Sequence, residues 1–566
     1  MKRVKLVLPK ASKGWHFSRL FTVEMNDFDV ERLLPSLFYL IVTRGRKRGP
    51  RKNDPTDLGK YLQAVVSHER VAGFDTAEGK RLMDRWLRAA VFRASKKGTK
   101  RGAAEQIDYL LPLTLLCYKT GFPSEIRRQR SVHVFLYVLL RDELGSGNAL
   151  EGANKLFDLF RRVFGRNLRE LTPPSYDSGY DGSSNIDIHS LLALCYLDGF
   201  QASTPGKVEE FGLADPALPQ AARNLAQDVL QYLLAYGGRM PVQAITRGLM
   251  ALINFGLFIY SVKLIHAVNH LVATGNLPPE MKAAPAESDA EIPCPEIYVD
   301  FTRQRGGRSD ELARACVGRD LASLRTYIDS VLYLRSLDML IEYILDLRRI
   351  RDESTTPNYL LRLISLESHP EVAAGARAEM ARIREATLES CSSDVEKETI
   401  KAYFADITQR NPPVKAFATL LSEAQLNSAL RNGVSWYWST GGLRKSFGIL
   451  SGNITGRRNW RYAPSDDLLA TLVHVAMTER PMGDWQCVRP RASMRLSEFL
   501  DFLYRRYGLL VDRPPGFLDD ATARFAAATN LEALKRRLRQ MGFFHALSDD
   551  FNAQYLEMPV LKEVNG

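Results

Sequence analysis

Cysteine is scarce in this chain: six in 566 residues. Cys117, Cys195, Cys294, Cys316, Cys391 and Cys487 never fall within ten residues of one another. That spacing excludes CxxC zinc ribbons and a disulfide framework, and fits a reducing compartment. Phosphate-binding loops are missing as well. Gly145–Gly152 lacks both the dinucleotide spacing and a preceding strand, and Thr440–Ser446 has the composition of a Walker loop without its GxxxxGK spacing. There is no HExxH and no GxSxG elbow. No cofactor is expected. The most apolar run, Gly248 to Val262, contains Asn254 and is bounded by Arg247 and Lys263. It falls short of the roughly twenty residues needed to span a bilayer, so it reads as a buried helix. The first ten residues carry charge but no apolar signal-peptide core. A cytoplasmic protein without a membrane partner is the expectation. No repeat with a period of roughly 20–50 residues is evident.

Positive charge is present in excess and unevenly placed. The whole chain carries +12. Residues 1–170 hold 34 Lys and Arg against 18 Asp and Glu, an excess of 16, so the remaining 396 residues sum to −4. Such asymmetry favours a polyanion, most often nucleic acid, over a small-molecule substrate. The segment Arg44-Gly-Arg-Lys-Arg-Gly-Pro-Arg-Lys-Asn-Asp-Pro55 has six basic residues in nine and a Gly/Pro content that argues against regular structure. Its candidate phosphate contacts are Arg44, Arg46, Lys47, Arg48, Arg51 and Lys52. A second basic loop, Arg93 to Gly102, offers Lys96, Lys97, Lys100 and Arg101. Arg127, Arg128 and Arg130 form a third cluster, and Arg161, Arg162, Arg166 and Arg169 a fourth. Loops of this kind suit a mobile clamp on a nucleic-acid backbone. A charge run is more commonly only a solvated surface.

Composition shifts divide the chain into four expected domains: a basic helical one at 1–170, helical ones at 171–285 and 286–410, and a C-terminal region at 411–566. A Ser/Gly/Asp-rich stretch at 171–188, the Pro/Ala/Glu-rich 276–295 and Asn411-Pro-Pro413 mark the boundaries. The fold class is mainly α with short β-hairpins. Pro295 to Thr302 predicts one strand, and Arg303-Gln-Arg-Gly-Gly-Arg308 after it a basic glycine loop, with Ser309 capping the following helix.

The last seventy residues predict a winged helix. Leu496, Phe499, Leu500, Leu503 and Tyr507 share one helix face, and Gly508 closes that helix. A short second helix starts at Asp519 or Asp520 and runs to Phe525. A third runs from Leu531 to Met541, capped by Asn530. Phe543 to Met558 then reads as strand, turn at Ser548–Asp550, strand. Leu531, Leu534 and Leu538 face inward on the third helix. Lys535, Arg536, Arg537 and Arg539 are its candidate DNA contacts. A second winged-helix candidate spans 411–480, with helices at Lys415–Leu421 and Glu423–Arg431 and strands at Val434–Trp438, Ser446–Leu450 and Trp460–Tyr462. Arg457 and Arg458, between Gly452 and Trp460, suit a wing on a phosphate backbone. The alternative there is a packed aromatic core with exposed arginines.

Catalytic signals are weak. Alternation puts Glu296, Tyr298 and Asp300 on one strand face, the minimum for a metal-dependent nuclease, but no ExK strand follows. His266 and His270 share a helix face without a third zinc ligand nearby in sequence. No catalytic or metal-binding residue is assigned.

Three phrases carry a family resemblance: Leu233–Met250, Ile297–Thr302 and Phe499–Gly508. Together they resemble an accessory component of the bacterial methylation-associated anti-phage defence systems. The resemblance spans most of the chain and implies a host-defence setting with other defence proteins as partners. It supplies no catalytic residues. The expectation is a non-catalytic, DNA-binding or scaffolding subunit. A metal-dependent nuclease subunit and a pure protein-interaction subunit are the alternatives.

Overall fold

A computed structural model describes residues 6–48, 58–69, 71–96, 105–110, 130–164, 188–189, 191–192, 195, 205–208, 215–282, 295–342, 344–353, 356–545 and 554–558. The protein is mainly helical. In chain order come α1 (Val30–Val42), α2 (Leu58–Val66), α3 (Ala77–Ala90), α4 (Val132–Gly145), α5 (Ala149–Phe164), α6 (Pro219–Tyr236) and α7 (Val242–Thr274). Then follow α8 (Arg308–Ile341), α9 (Leu345–Glu353), α10 (Thr356–Ser365), α11 (Pro370–Glu389), α12 (Asp394–Arg410), α13 (Pro413–Thr440), α14 (Asp466–Ala476), α15 (Leu496–Tyr507) and α16 (Ala521–Gln540).

The apolar run around Gly248 to Val262 lies inside α7, a 33-residue helix that is hydrophobic on nearly every side. A helix of that composition belongs in a protein interior or a membrane. By length and composition α7 could cross a bilayer, yet 89% of its most apolar stretch is buried inside the molecule. Helix α6 comes unusually close to it. A Cβ on Gly248 would meet the Tyr232 hydroxyl at 2.1 Å, and one on Gly256 would meet Leu225 Cδ1 at 2.2 Å. Helices α8 and α13 complete the centre. Gly433 of α13 lets Leu324 of α8 approach to 3.1 Å from where a Cβ would sit. Several polar groups inside this core are paired. The Trp436 indole donates to Ser261 Oγ at 2.8 Å. Asp320 accepts from the Tyr462 hydroxyl at 2.5 Å and lies 2.9 Å from His266 Nε2.

Strands are short and paired locally. Hairpins join β2 (Phe92–Lys96) to β3 (Glu105–Leu110) and β6 (Leu450–Asn453) to β7 (Gly456–Tyr462). Strand β5 (Ile297–Tyr298) pairs in parallel with β11 (Leu509–Leu510). Strand β8 (Thr478–Glu479) pairs with β9 (Arg489–Pro490). Near the C-terminus β10 (Ser493–Arg495), β13 (Tyr555–Glu557) and β12 (Phe544–His545) form one antiparallel sheet in that spatial order.

Several expected elements differ. Arg46–Arg48, expected irregular, is strand β1, antiparallel to β4 (Pro205–Val208). Arg44 at φ 51° and Gly45 at φ 81° turn the chain out of α1 and deliver it extended to that partner. Arg93–Lys96, read as a loop, is strand β2. Lys415–Leu421, Glu423–Arg431 and Val434–Trp438 are not helix, helix and strand but one helix, α13. Val434, Trp436 and Tyr437 of the segment that suggested a strand are buried against α7 and α8, and that packing overrides local β-propensity. Val4 to Leu8 has the pattern of a strand; Val4 and Lys5 lie outside the described residues, and Leu6 to Leu8 are not in a strand. The 171–188 linker lies outside them except for Ile188.

Elements of the C-terminal region differ from expectation in part. Helix α15 and its Gly508 cap, at φ 79°, are as expected. The next two helices are one, α16, capped at Asp520, whose Oδ1 accepts from the Ala523 amide at 2.7 Å. Asn530 is no cap. It lies mid-helix and fully buried. The Ser548–Asp550 turn lies outside the described residues.

Candidate nucleic-acid interface

Asn530 explains why α16 runs unbroken. Its amide nitrogen donates to Val299 O at 2.8 Å and Val511 O at 3.1 Å, and its Oδ1 accepts from the Phe301 amide at 2.7 Å. The side chain that looked like a cap instead closes the ends of β5 and β11 against the helix. On the same face Leu534 and Leu538 are fully buried, and Leu531 is half-buried. The basic residues between them divide. Arg537 is buried: its guanidinium binds Asp466 Oδ1 at 2.6 Å and Pro464 O at 3.0 Å, and stacks over Phe301. Lys535 is buried beside Glu532 at 2.7 Å. Arg536 and Arg539 are exposed, the latter over the Phe544 ring. The outward face of α16 thus carries Phe525, Ala528, Thr529, Glu532, Arg536 and Arg539 at helical three- and four-residue spacing.

Beside this helix runs the loop between β5 and α8. Asp300 anchors its start: Oδ1 accepts from Thr302 N at 3.0 Å, Thr302 Oγ1 at 2.7 Å and Ser309 Oγ at 2.7 Å. Ser309 therefore serves Asp300 from inside α8, and Gly307 holds the cap position expected for it. Arg303 at φ 57° and Gly306 at φ 76° form the turn, and the Gly306 amide donates to Asp310 Oδ2 at 2.9 Å. Two ion pairs place the loop along α16. Arg308 reaches Asp520 at the N-terminus of α16, 2.7 Å away. Arg303 reaches Asp466 at 3.4 Å, the same carboxylate that Arg537 holds. Arg303 and Arg305 remain exposed. The sequence marked this stretch as a basic glycine loop, but only the tertiary structure sets it against α16.

Hairpin β6–β7 exposes Arg457 and Arg458. Its aromatics face inward: Trp460 and Tyr462 are buried, and the Trp460 indole donates to Asn453 O at 2.7 Å. Arg461 is buried with Asp310 at 3.3 Å. The hairpin is a packed aromatic core with exposed arginines. Of the N-terminal candidates, Arg46 is exposed, whereas Arg44 donates to Asn154 Oδ1 at 2.7 Å and lies over Phe157. Lys47, Arg48 and Lys96 are described in backbone only. Arg51, Lys52, Lys97, Lys100 and Arg101 lie outside the described residues. Arg130 is held by Glu24 and Asp27.

The carboxylates considered for catalysis do not share a site. Asp300 is fully buried. Glu296 turns away to accept from the Gly516 amide at 2.8 Å, and it meets the Tyr504 hydroxyl at 3.5 Å. His266 is tied to Asp320. Among the described residues no three His, Cys, Asp or Glu side chains cluster as metal ligands would.

Comparison with known proteins gives one family. The family model described as methylation-associated defense system protein MAD7 matches residues 10–559. No curated protein matches the chain.

Proposed function

The chain belongs to the family of methylation-associated defense system protein MAD7, and from that premise we propose that it is a non-catalytic, DNA-binding subunit of a cytoplasmic defence complex. The observation that carries the reading is the arrangement of residues 466–558. Besides the pair β8–β9 and strand β11, which pairs with β5 outside this segment, it runs helix α14, strand β10, helices α15 and α16, then strands β12 and β13, with β10 completing a three-stranded sheet. That is the order of a winged helix. In that order α16 corresponds to the helix that such modules lay in the major groove. Its exposed Arg536 and Arg539, with Arg303 and Arg305 of the neighbouring loop, suit phosphates on either side of a groove. Other proteins of the same defence system are the natural partners of such a subunit.

Affinity of the full-length protein for duplex DNA, measured against salt with and without Mg²⁺, tests this. A reading based on phosphate contacts expects log affinity to fall linearly with log salt, at a slope of roughly 0.9 per contact. It also expects intact DNA in both series. Mg²⁺-dependent cleavage overturns the non-catalytic reading. Absence of binding at low salt overturns the DNA reading and favours a protein-interaction subunit.

A further inference from the structure

The outward face of α16 carries one side chain that phosphate contact does not explain. Phe525 is 77% exposed. It is followed on the same face by Ala528 and Thr529, and the Thr529 hydroxyl already donates to Phe525 O at 3.1 Å. The face therefore divides by chemistry. Its N-terminal half presents a phenyl ring, an alanine methyl and a threonine whose hydroxyl is engaged within the helix. Its C-terminal half presents Arg536 and Arg539 beyond Glu532, whose carboxylate is paired with Lys535. Recognition helices bring mainly their N-terminal residues to base edges. In the major groove Ala, Thr and Phe find one apolar partner, the C5-methyl group of a pyrimidine. Charge fits this occupant too. The carboxylates at the α16 N-terminus are both paired, Asp519 with Arg524 and Asp520 with Arg308, and the exposed Arg303 and Arg305 border the same helix.

We propose that the Phe525–Ala528–Thr529 face of α16 reads pyrimidine C5-methyl groups in the major groove of duplex DNA. This rests on the DNA-binding reading and adds the feature that is read. Thymine and 5-methylcytosine present the same methyl, so the test must separate them.

The full-length protein is titrated against three random-sequence duplex pools: one with thymine and cytosine, one with uracil and cytosine, and one with uracil and 5-methylcytosine. Wild type should bind at least one methyl-bearing pool about 4-fold more tightly than the methyl-free pool, the worth of one buried methyl. The pool preferred identifies the base. Phe525→Ala should bind all three pools alike, at the methyl-free level, with an unchanged melting temperature because the ring is exposed. Phe525→Leu should keep part of the preference. Equal wild-type affinity for the three pools overturns the methyl reading while leaving DNA binding intact, as does a preference that survives in Phe525→Ala. A Phe525→Ala variant that keeps the methyl preference but loses its defence-system partners assigns this face to protein instead. Failure to bind any pool at low salt overturns the methyl reading together with the DNA-binding reading.

Discussion

At the scale of single residues, Asn530 makes three hydrogen bonds from a position with no solvent exposure. Removing one partner of a buried set leaves the others unsatisfied, which costs more than the bonds themselves contribute. Asn530→Ala should therefore destabilise the protein by roughly 3–5 kcal/mol, seen as a lowered denaturation midpoint. Asp300 follows the same logic, since its Oδ1 alone holds Thr302 and Ser309. Asp300→Ala should lower stability by roughly 3 kcal/mol or more. Correctly folded Glu296→Ala, by contrast, should keep DNA binding. Loss of defence activity in the Glu296 variant at unchanged melting temperature, together with Mg²⁺-dependent cleavage by wild type, would return the strand to the catalytic alternative.

The helix is the next scale, and α16 has two faces with opposite expected behaviour. Leu534 is fully buried, and Leu534→Ala should cost about 2–5 kcal/mol. Arg536→Ala with Arg539→Ala should leave the melting temperature within about a degree or two, because exposed charges contribute little. The pair should instead weaken DNA binding and reduce the log–log salt slope by roughly 0.9 for each phosphate no longer neutralised. Arg537→Ala should behave like a core variant, since its partners are Asp466 and Pro464 O inside the fold. Equal effects of all three arginine substitutions on stability would contradict this division.

For the whole molecule, His474 joins α14, α6 and the C-terminal sheet. Its ring packs edge-on against Tyr236 at 4.9 Å and Phe543 at 5.5 Å, and its carbonyl accepts from the Tyr236 hydroxyl at 3.0 Å. Burial pushes the imidazole down to about 4, with a hydrogen bond to the Ala470 carbonyl opposing it. The unfolded chain takes up this proton near pH 6.5 and the folded chain only near 4. Stability is thus fully present above 6.5 and declines as pH falls between these values, by about 2 kcal/mol at pH 5. His474→Phe should lose less melting temperature between pH 7 and pH 5 than wild type does. An identical loss in both would remove His474 as the cause. At the other end of the chain, neutralising Arg46, Lys47, Arg48, Arg51 and Lys52 together should weaken DNA binding and flatten its salt slope without altering folding. An unchanged slope would make that segment only a solvated surface.

Local pattern by itself determined α15, whose apolar stripe is a local fact, and the buried run within α7, with Gly508 as a C-cap. It also determined which leucines of α16 face inward, because a 3.6-residue repeat requires no knowledge of the partner surface. What lay beyond it were features that depend on the approach of distant segments. Asn530 has the chemistry of a cap, and only the approach of Val299, Phe301 and Val511 makes it a core bracket. Val434 to Trp438 has the composition of a strand, and burial among α7 and α8 keeps it helical. Arg46–Arg48 needed Pro205–Val208 as a strand partner. The division of the basic residues, with Arg536 and Arg539 outward and Lys535 and Arg537 inward, was decided by where Glu532, Asp466 and Pro464 came to rest. Which groups carry charge is a property of the sequence, but solvent access is a property of the packed chain.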